Sequence, residues 1–197
     1  MRTALYFGSF YPPHKGHAAI AAYVHSCGDF DAVRVVLSPC NPFKQNAFQL
    51  TDAERIALVR AWTDSCPYLQ LSTLEFEMAR PSYTYLTLRR IRAEEPEGEF
   101  SLVLGADSLL AFPQWREYAE IALHHAIYVY PRPGYALAEA VATVSGKLPA
   151  ARIRCMDAPL FPFASSEIRK ALQQGEDVSE KLPPPVWEHI RKHALFR

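Results

Sequence analysis

TALYFGSFYPPHKGH, residues 3–17, places a short apolar run before a turn of glycine and proline and then the start of a helix. The run at 3–7 reads as a buried strand, and Gly8 allows the backbone to turn sharply and approach a ligand closely. The helix that follows opens with N–H groups that have no internal partner, so it attracts anions. Its macrodipole disfavours positive side chains by roughly 0.3 to 1 kcal/mol. Yet His14, Lys15 and His17 cluster there, an arrangement that an absent anion would explain.

The same conflict recurs in FASSEIRKAL (163–172), where Ser165 or Ser166 reads as a helix cap and Arg169 falls in the first turn. Two helix starts of this kind, both reached from strand ends, suggest one polyphosphate lying between them. Further β-rich runs at 32–37, 68–76, 100–105, 126–130 and 152–156 alternate with helical patterns. That alternation predicts an α/β fold, Rossmann-like and doubly wound, with a mainly parallel sheet and helices on both faces. Thr51-Asp52-Ala53-Glu54 is a capping-box pattern, Ser82 and Ser165 are further N-cap candidates, Gly175 closes a helix, and PPPVWEHIRKHAL reads as a final helix begun by proline. Ligands of such sheets bind outside the carboxyl ends of the strands, so the loops at 8–16, 38–50, 77–84, 105–116, 131–135 and 157–166 are the candidates for a site.

A chain of 197 residues suits one domain, 1–197, with a C-terminal helical portion at about 164–197. Lys plus Arg (21) balance Asp plus Glu (21), which argues against non-specific nucleic-acid binding and against an anionic membrane surface. The densest charge run, residues 89–99, neutralises itself and reads as a solvated helix end. Cys27, Cys40, Cys66 and Cys155 form no C-x-x-C pair and have no zinc-like spacing, as expected of reduced thiols. The five apolar residues before Gly8 are too few for a signal peptide, and no run is long enough to span a bilayer, so a cytoplasmic protein is expected.

The opening motif is neither G-x-x-x-x-G-K-[ST] nor G-x-G-x-x-G, which disfavours a P-loop ATPase and a dinucleotide-binding dehydrogenase. It resembles G-[ST]-F-x-P-x-H-x-G-H, the signature of the nucleotidyltransferase superfamily, and stands complete from Gly8 to His17. Four further stretches resemble one branch, the bacterial nicotinate-nucleotide adenylyltransferases: NPFK (41–44), RPSYTYLTL (80–88), LGADSLLAFPQWREYAEI (104–121) with RPGY (132–135), and SSEIRKALQQGE (165–176). The resemblance implies transfer of AMP from ATP to nicotinate mononucleotide, giving nicotinate adenine dinucleotide and pyrophosphate in NAD biosynthesis.

It also implies roles for individual residues. His14 and His17 would contact the ATP phosphates, assisted by Lys44 and Arg169. Gly8, Ser9, Phe10, Gly16, Gly105, Asp107, Ser165 and Ser166 would border ATP, and Thr84, Trp115 and Arg132 would border nicotinate mononucleotide. Read alone, Asp107 could equally cap a short helix, Trp115 could be core, and Thr84 could be an ordinary first-turn residue. The chemistry needs in-line positioning and donors for developing charge and no covalent intermediate. Mg2+ is expected to be held by ATP phosphates and water, since the sequence has no carboxylate cluster for it and H-x-x-H lacks a third ligand.

Two departures stand out. Tyr11 replaces the Asp or Asn usual before the first motif proline, and Ala164 and Ser166 replace Ser and Thr in the last motif. The sequence leaves room for a homo-oligomer. It also leaves open an enzyme preferring nicotinamide mononucleotide or another phosphorylated acceptor, and, from a different class, a nucleotide sensor without turnover.

Overall fold

The structure, a computed structural model, describes residues 1–39 and 49–196. In chain order the elements are β1 (Arg2–Gly8), α1 (Lys15–Ser26), β2 (Ala32–Leu37), α2 (Asp52–Thr63), β3 (Leu69–Ser72), α3 (Thr84–Glu94), β4 (Glu99–Gly105) and α4 (Ala106–Ala111). There follow α5 (Tyr118–His124), β5 (Ile127–Tyr130), α6 (Leu137–Lys147), β6 (Ile153–Cys155), α7 (Ser165–Gln173) and α8 (Pro184–His193). The strands form one sheet in the order β3-β2-β1-β4-β5-β6, and every pairing is parallel.

Strand alternation divides the core between two faces. Ala4, Tyr6, Val33, Val35, Leu37 and Val103 pack against α1, α2, α7 and α8 through Ile20, Val24, Leu58, Trp62, Ile168, Val186 and Ile190. Leu5, Val36, Leu102, Leu104, Ile127 and Val129 pack on the other face against α3 to α6 through Leu88, Ile91, Leu109, Ile121 and Val144. Both faces are covered, which is why these strands read as continuous apolar runs. The chain moves outward through β2 and β3, then returns to the far side of β1 as β4, so a crevice opens at the carboxyl ends of β1 and β4. No described helix is long and apolar enough to cross a membrane.

Local expectations fare unevenly. Thr51 and Glu54 form the reciprocal capping box at α2, and Pro184 opens α8. The run at 68–76 splits: β3 ends at Ser72 and a 3-10 turn, Leu74–Glu77, turns the chain toward the crevice. The serine caps do not form. Tyr83 and Ala164 occupy the N-cap positions of α3 and α7, both without a side-chain cap bond. Ser82 is buried, and Ser165 instead donates to the Pro12 carbonyl at 3.2 Å. The charges at 89–94 reach other elements as well as one another: Arg89 pairs with Glu120 of α5, and Arg90 with Glu77 as well as Glu94.

Candidate active site

His14 is the N-cap of α1 and His17 its third residue, and together they form a capping box made of two imidazoles. The His17 backbone N–H donates to His14 Nδ1 at 3.3 Å, and the His14 backbone N–H donates to His17 Nδ1 at 3.2 Å. The rings stack with centroids 3.6 Å apart and an interplanar angle of 19°. Because both Nδ1 atoms accept, the Nε2 atom of each neutral ring carries the proton, so each of the two stacked rings has an N–H donor. Gly16 makes the stack possible, since a Cβ there would lie 3.0 Å from His14 Nδ1 and 3.2 Å from Phe161 Cβ.

This arrangement corrects the account of the helix start as a cluster of misplaced cations. Burial, with the Arg132 guanidinium nearby, lowers His14 from its usual 6.5 to about 4, so it caps the helix as a neutral ring. Lys15 turns away to Glu180, at 3.6 Å. Arg169 lies beyond the first turn of α7, as its fifth residue. The arrangement can receive an anion through neutral imidazole N–H donors and the uncapped start of α7, with Arg132 and Arg169 as the nearby positive charges.

A consequence can be measured in the ligand-free protein. Between pH 6.5 and 4 the unfolded chain binds a proton at His14 that the folded chain refuses, so stability is full above pH 6.5 and falls through that window. At roughly 1.4 kcal/mol per pKa unit, the contribution lost below pH 4 is at most about 3.5 kcal/mol. His14→Asn keeps a capping side chain without the titration, and should flatten this part of the stability profile measured by denaturant unfolding across pH. An equally steep acid limb in the variant would assign the loss to other groups.

The crevice has two lobes that meet over Tyr6, Phe7, Gly8, Ser9, Asp107, Ser108 and Tyr130. The larger, about 520 Å³, is lined by Phe10, His14, His17, Arg132, Phe163, Ser165, Ser166 and Arg169. The smaller, about 270 Å³, is lined by Ser38, Glu75, Ser82, Tyr83, Thr84, Gln114, Trp115 and Arg116. The Phe10 ring, buried, folds back over Gly8, so Gly8 makes room for a protein ring as well as for any ligand. Gly105 closes β4, and a Cβ there would meet Asp107 Oδ1 at 2.4 Å and Arg132 Cγ at 2.9 Å. Asp107 sits in the first turn of α4 without capping it, at the junction of the lobes, with its carboxylate 3.7 Å from Arg132 Nε.

The site residues thus separate by lobe. Thr84 and Trp115 line the smaller lobe, where Trp115 packs edge-on against Phe112. Arg132 does not join them: its pairing with Asp107 holds it in the larger lobe beside the histidines. Arg132 is therefore set apart from Thr84 and Trp115, the residues with which it was expected to border the mononucleotide. Gly16 borders a small recess behind His14 with Pro131, Pro133, Pro159 and Phe161. Lys44 lies outside the described residues, as does the whole of NPFK.

Three groups in the smaller lobe escaped the sequence reading. Arg116 lies over the rings of Tyr83 and Tyr85, 5.5 and 5.7 Å from their centroids. Glu75 is buried, accepts a 2.8 Å bond from the Thr87 hydroxyl, and is pushed by burial above its usual carboxylate range. The Ser82 hydroxyl is buried there too, with no hydrogen-bond partner among the described residues. The sequence signal for Glu75 was weak, because a glutamate in a β-rich run looks like a solvent-facing strand residue.

A parallel sheet of this strand order, with a crevice divided between a lobe of N–H donors and a second, mixed lobe, defines a nucleotide-binding α/β protein. The chain belongs to the cytidylyltransferase-like family, whose model matches residues 5–173. It is 34% identical to a protein of Flavobacterium johnsoniae over the full length of both chains. It is 37% identical to one of Bacteroides fragilis over 96% of this chain and 90% of that one. Both are named "probable nicotinate-nucleotide adenylyltransferase". Among solved structures, the nicotinic acid mononucleotide adenylyltransferase of Plasmodium falciparum, complexed with NaAD, shares the fold with a TM-score of 0.77 at 19% identity, over 99% of this chain and 97% of that one.

Proposed function

We propose that the protein transfers AMP from ATP to nicotinate mononucleotide, yielding nicotinate adenine dinucleotide and pyrophosphate. The observation that carries this reading is the stacked pair of histidines, whose two Nε2–H donors belong to the larger lobe while a second lobe opens beside it. ATP would take the larger lobe and the mononucleotide the smaller.

The acceptor phosphate is already an anionic nucleophile. One of its oxygens forms the new bond to the α-phosphorus as the bond to the bridging oxygen of pyrophosphate breaks, and the electron pair leaves with pyrophosphate. The protein's task is alignment and stabilisation of developing charge. His14 and His17 would donate to phosphate oxygens, Arg169 would add charge from α7, and Asp107 would accept from ribose hydroxyls. The groups facing the larger lobe are mainly donors, a set suited to phosphate oxygens and not to a cation. Mg2+ would accordingly travel with ATP, on phosphate oxygens and water, and offset their charge.

The smaller lobe supports an acid in preference to an amide. The open start of α3 at Thr84 presents uncapped N–H groups, and Arg116 adds a guanidinium. A carboxylate can accept from these groups, whereas a carboxamide would turn N–H2 toward donors. A buried polar group left unpaired costs about 1 to 3 kcal/mol, so nicotinate mononucleotide should be preferred about tenfold to a few hundredfold in kcat/KM. Pyrophosphate release with ATP and each mononucleotide measures this. Equal efficiencies would overturn the choice of acceptor, and no release with either would overturn the transferase reading in favour of a nucleotide sensor.

A further inference from the structure

Tyr11 stands where the motif departs from the Asp or Asn of the signature it resembles, and three parts of the site meet on it. It is buried, with 4% of its surface exposed. Its hydroxyl accepts from the backbone N–H groups of Gln49, at 2.9 Å, and Leu50, at 3.2 Å, where the chain comes in to α2. Its carbonyl accepts a 2.6 Å bond from Arg169 Nη1, and the Arg169 guanidinium lies 5.0 Å from the centre of its ring. The Phe196 ring packs on it with centroids 5.2 Å apart.

Two other contacts run parallel to these. Gln173 Nε2, at the end of α7, donates to Gln49 Oε1 at 3.0 Å. Arg55 of α2, buried and 6.0 Å from the Tyr11 ring centre, donates to the carbonyls of Ser38 and Pro39, beyond the carboxyl end of β2. Tyr11 thus lies at the centre of a group joining the end of β2, the start of α2 and the cation of α7.

We propose that Tyr11 is a positioning residue for the donor lobe: its ring and carbonyl hold Arg169 in place, while its hydroxyl fixes the Gln49–Leu50 backbone relative to Arg169. The physical basis is that a long guanidinium loses much rotameric freedom when it is aimed at a ligand. A stacked ring and a charge-assisted bond to a carbonyl remove that freedom before ATP arrives. Tyrosine alone among the common side chains offers both a broad face for Arg169 and, at its far end, an acceptor for two amides. The inference rests on the adenylyltransferase reading for its kinetic part only.

Two variants divide the role. Tyr11→Phe keeps the ring and the carbonyl, and removes the acceptor of Gln49 and Leu50. Hydrogen exchange at the Leu50 amide should quicken at least about tenfold, and KM for ATP should rise about fivefold, the scale of one lost buried hydrogen bond. Tyr11→Leu removes the face beneath Arg169 and should lower kcat. In a double-mutant cycle with Arg169→Ala, the pair should be little worse than Arg169→Ala alone, because Tyr11 acts through that arginine. Additive losses in the cycle, or unchanged Leu50 exchange in Tyr11→Phe, would overturn the proposal and leave Tyr11 as core packing. If the unmodified protein released no pyrophosphate, only the reaction would fall. Exchange, and the cycle repeated on thermal stabilisation by ATP, would still decide the role of Tyr11.

Discussion

His17→Ala is expected to lower turnover about 100-fold or more, since one preorganised donor to developing charge is worth roughly 2.7 to 4 kcal/mol. The structure adds a complication and its remedy. His17 Nδ1 also caps the His14 backbone N–H, so alanine removes a helix cap together with the donor. Glutamine at the third helical position can restore the cap, as in an ordinary capping box, but cannot place a donor where Nε2–H stood. His17→Gln should therefore recover much of the stability lost in His17→Ala and little of the turnover. Recovery of both would reduce His17 to a capping residue. His14→Ala should behave like His17→Ala, and the double variant should fall short of the sum, because both rings would serve one phosphate chain and they hold each other.

The second large effect is expected at Arg169. A hydrogen bond from a charged group contributes about 1.5 to 3 kcal/mol, so Arg169→Ala should lower kcat/KM for ATP about tenfold to a hundredfold. Had Arg169 been a cation misplaced in the first turn of α7, its removal would have cost the ligand-free protein nothing. Its bond to the Tyr11 carbonyl and its stacking on that ring mean instead that some ligand-free stability will be lost. The separation of roles lies in the ligand increment: the rise in Tm that ATP confers on the unmodified protein should shrink sharply in Arg169→Ala. Equal losses of Tm with and without ATP would make Arg169 a purely structural residue. Arg169→Lys should recover only part of the activity, because a single ammonium cannot span the Tyr11 carbonyl and a phosphate as a planar fork does.

Motifs that act through the backbone were legible in advance. A capping box requires only that Thr51 and Glu54 be three residues apart, so local sequence settles it and the structure contains it. The strands were visible as apolar runs because helices cover both faces of the sheet, and 32–37 matches β2 residue for residue. The run at 68–76 extends past the strand because its second half, with Leu74, Glu75 and Phe76, keeps an alternating pattern while turning toward the crevice as a 3-10 turn. Local pattern carries no information on when a neighbouring strand stops pairing.

The histidine pair divides the two kinds of information most clearly. Its spacing and its glycine are in the sequence, and they sufficed to single out the head of α1 as a candidate site. The charge state of His14 was not there, because both its burial and the repulsion from Arg132 arise only when the fold closes around it. The same distinction runs through the remainder of the site. By itself the sequence determined the alternating α/β pattern, the motif and the set of polar side chains at strand ends, since each depends on near neighbours along the chain. Only the tertiary structure decided which lobe each side chain serves: that Arg132 pairs with Asp107, that Glu75 and Arg116 belong beside Thr84, and that Tyr11 carries Arg169. Those assignments join residues far apart in the chain, and they follow from packing around the crevice between β1 and β4, where no local preference acts.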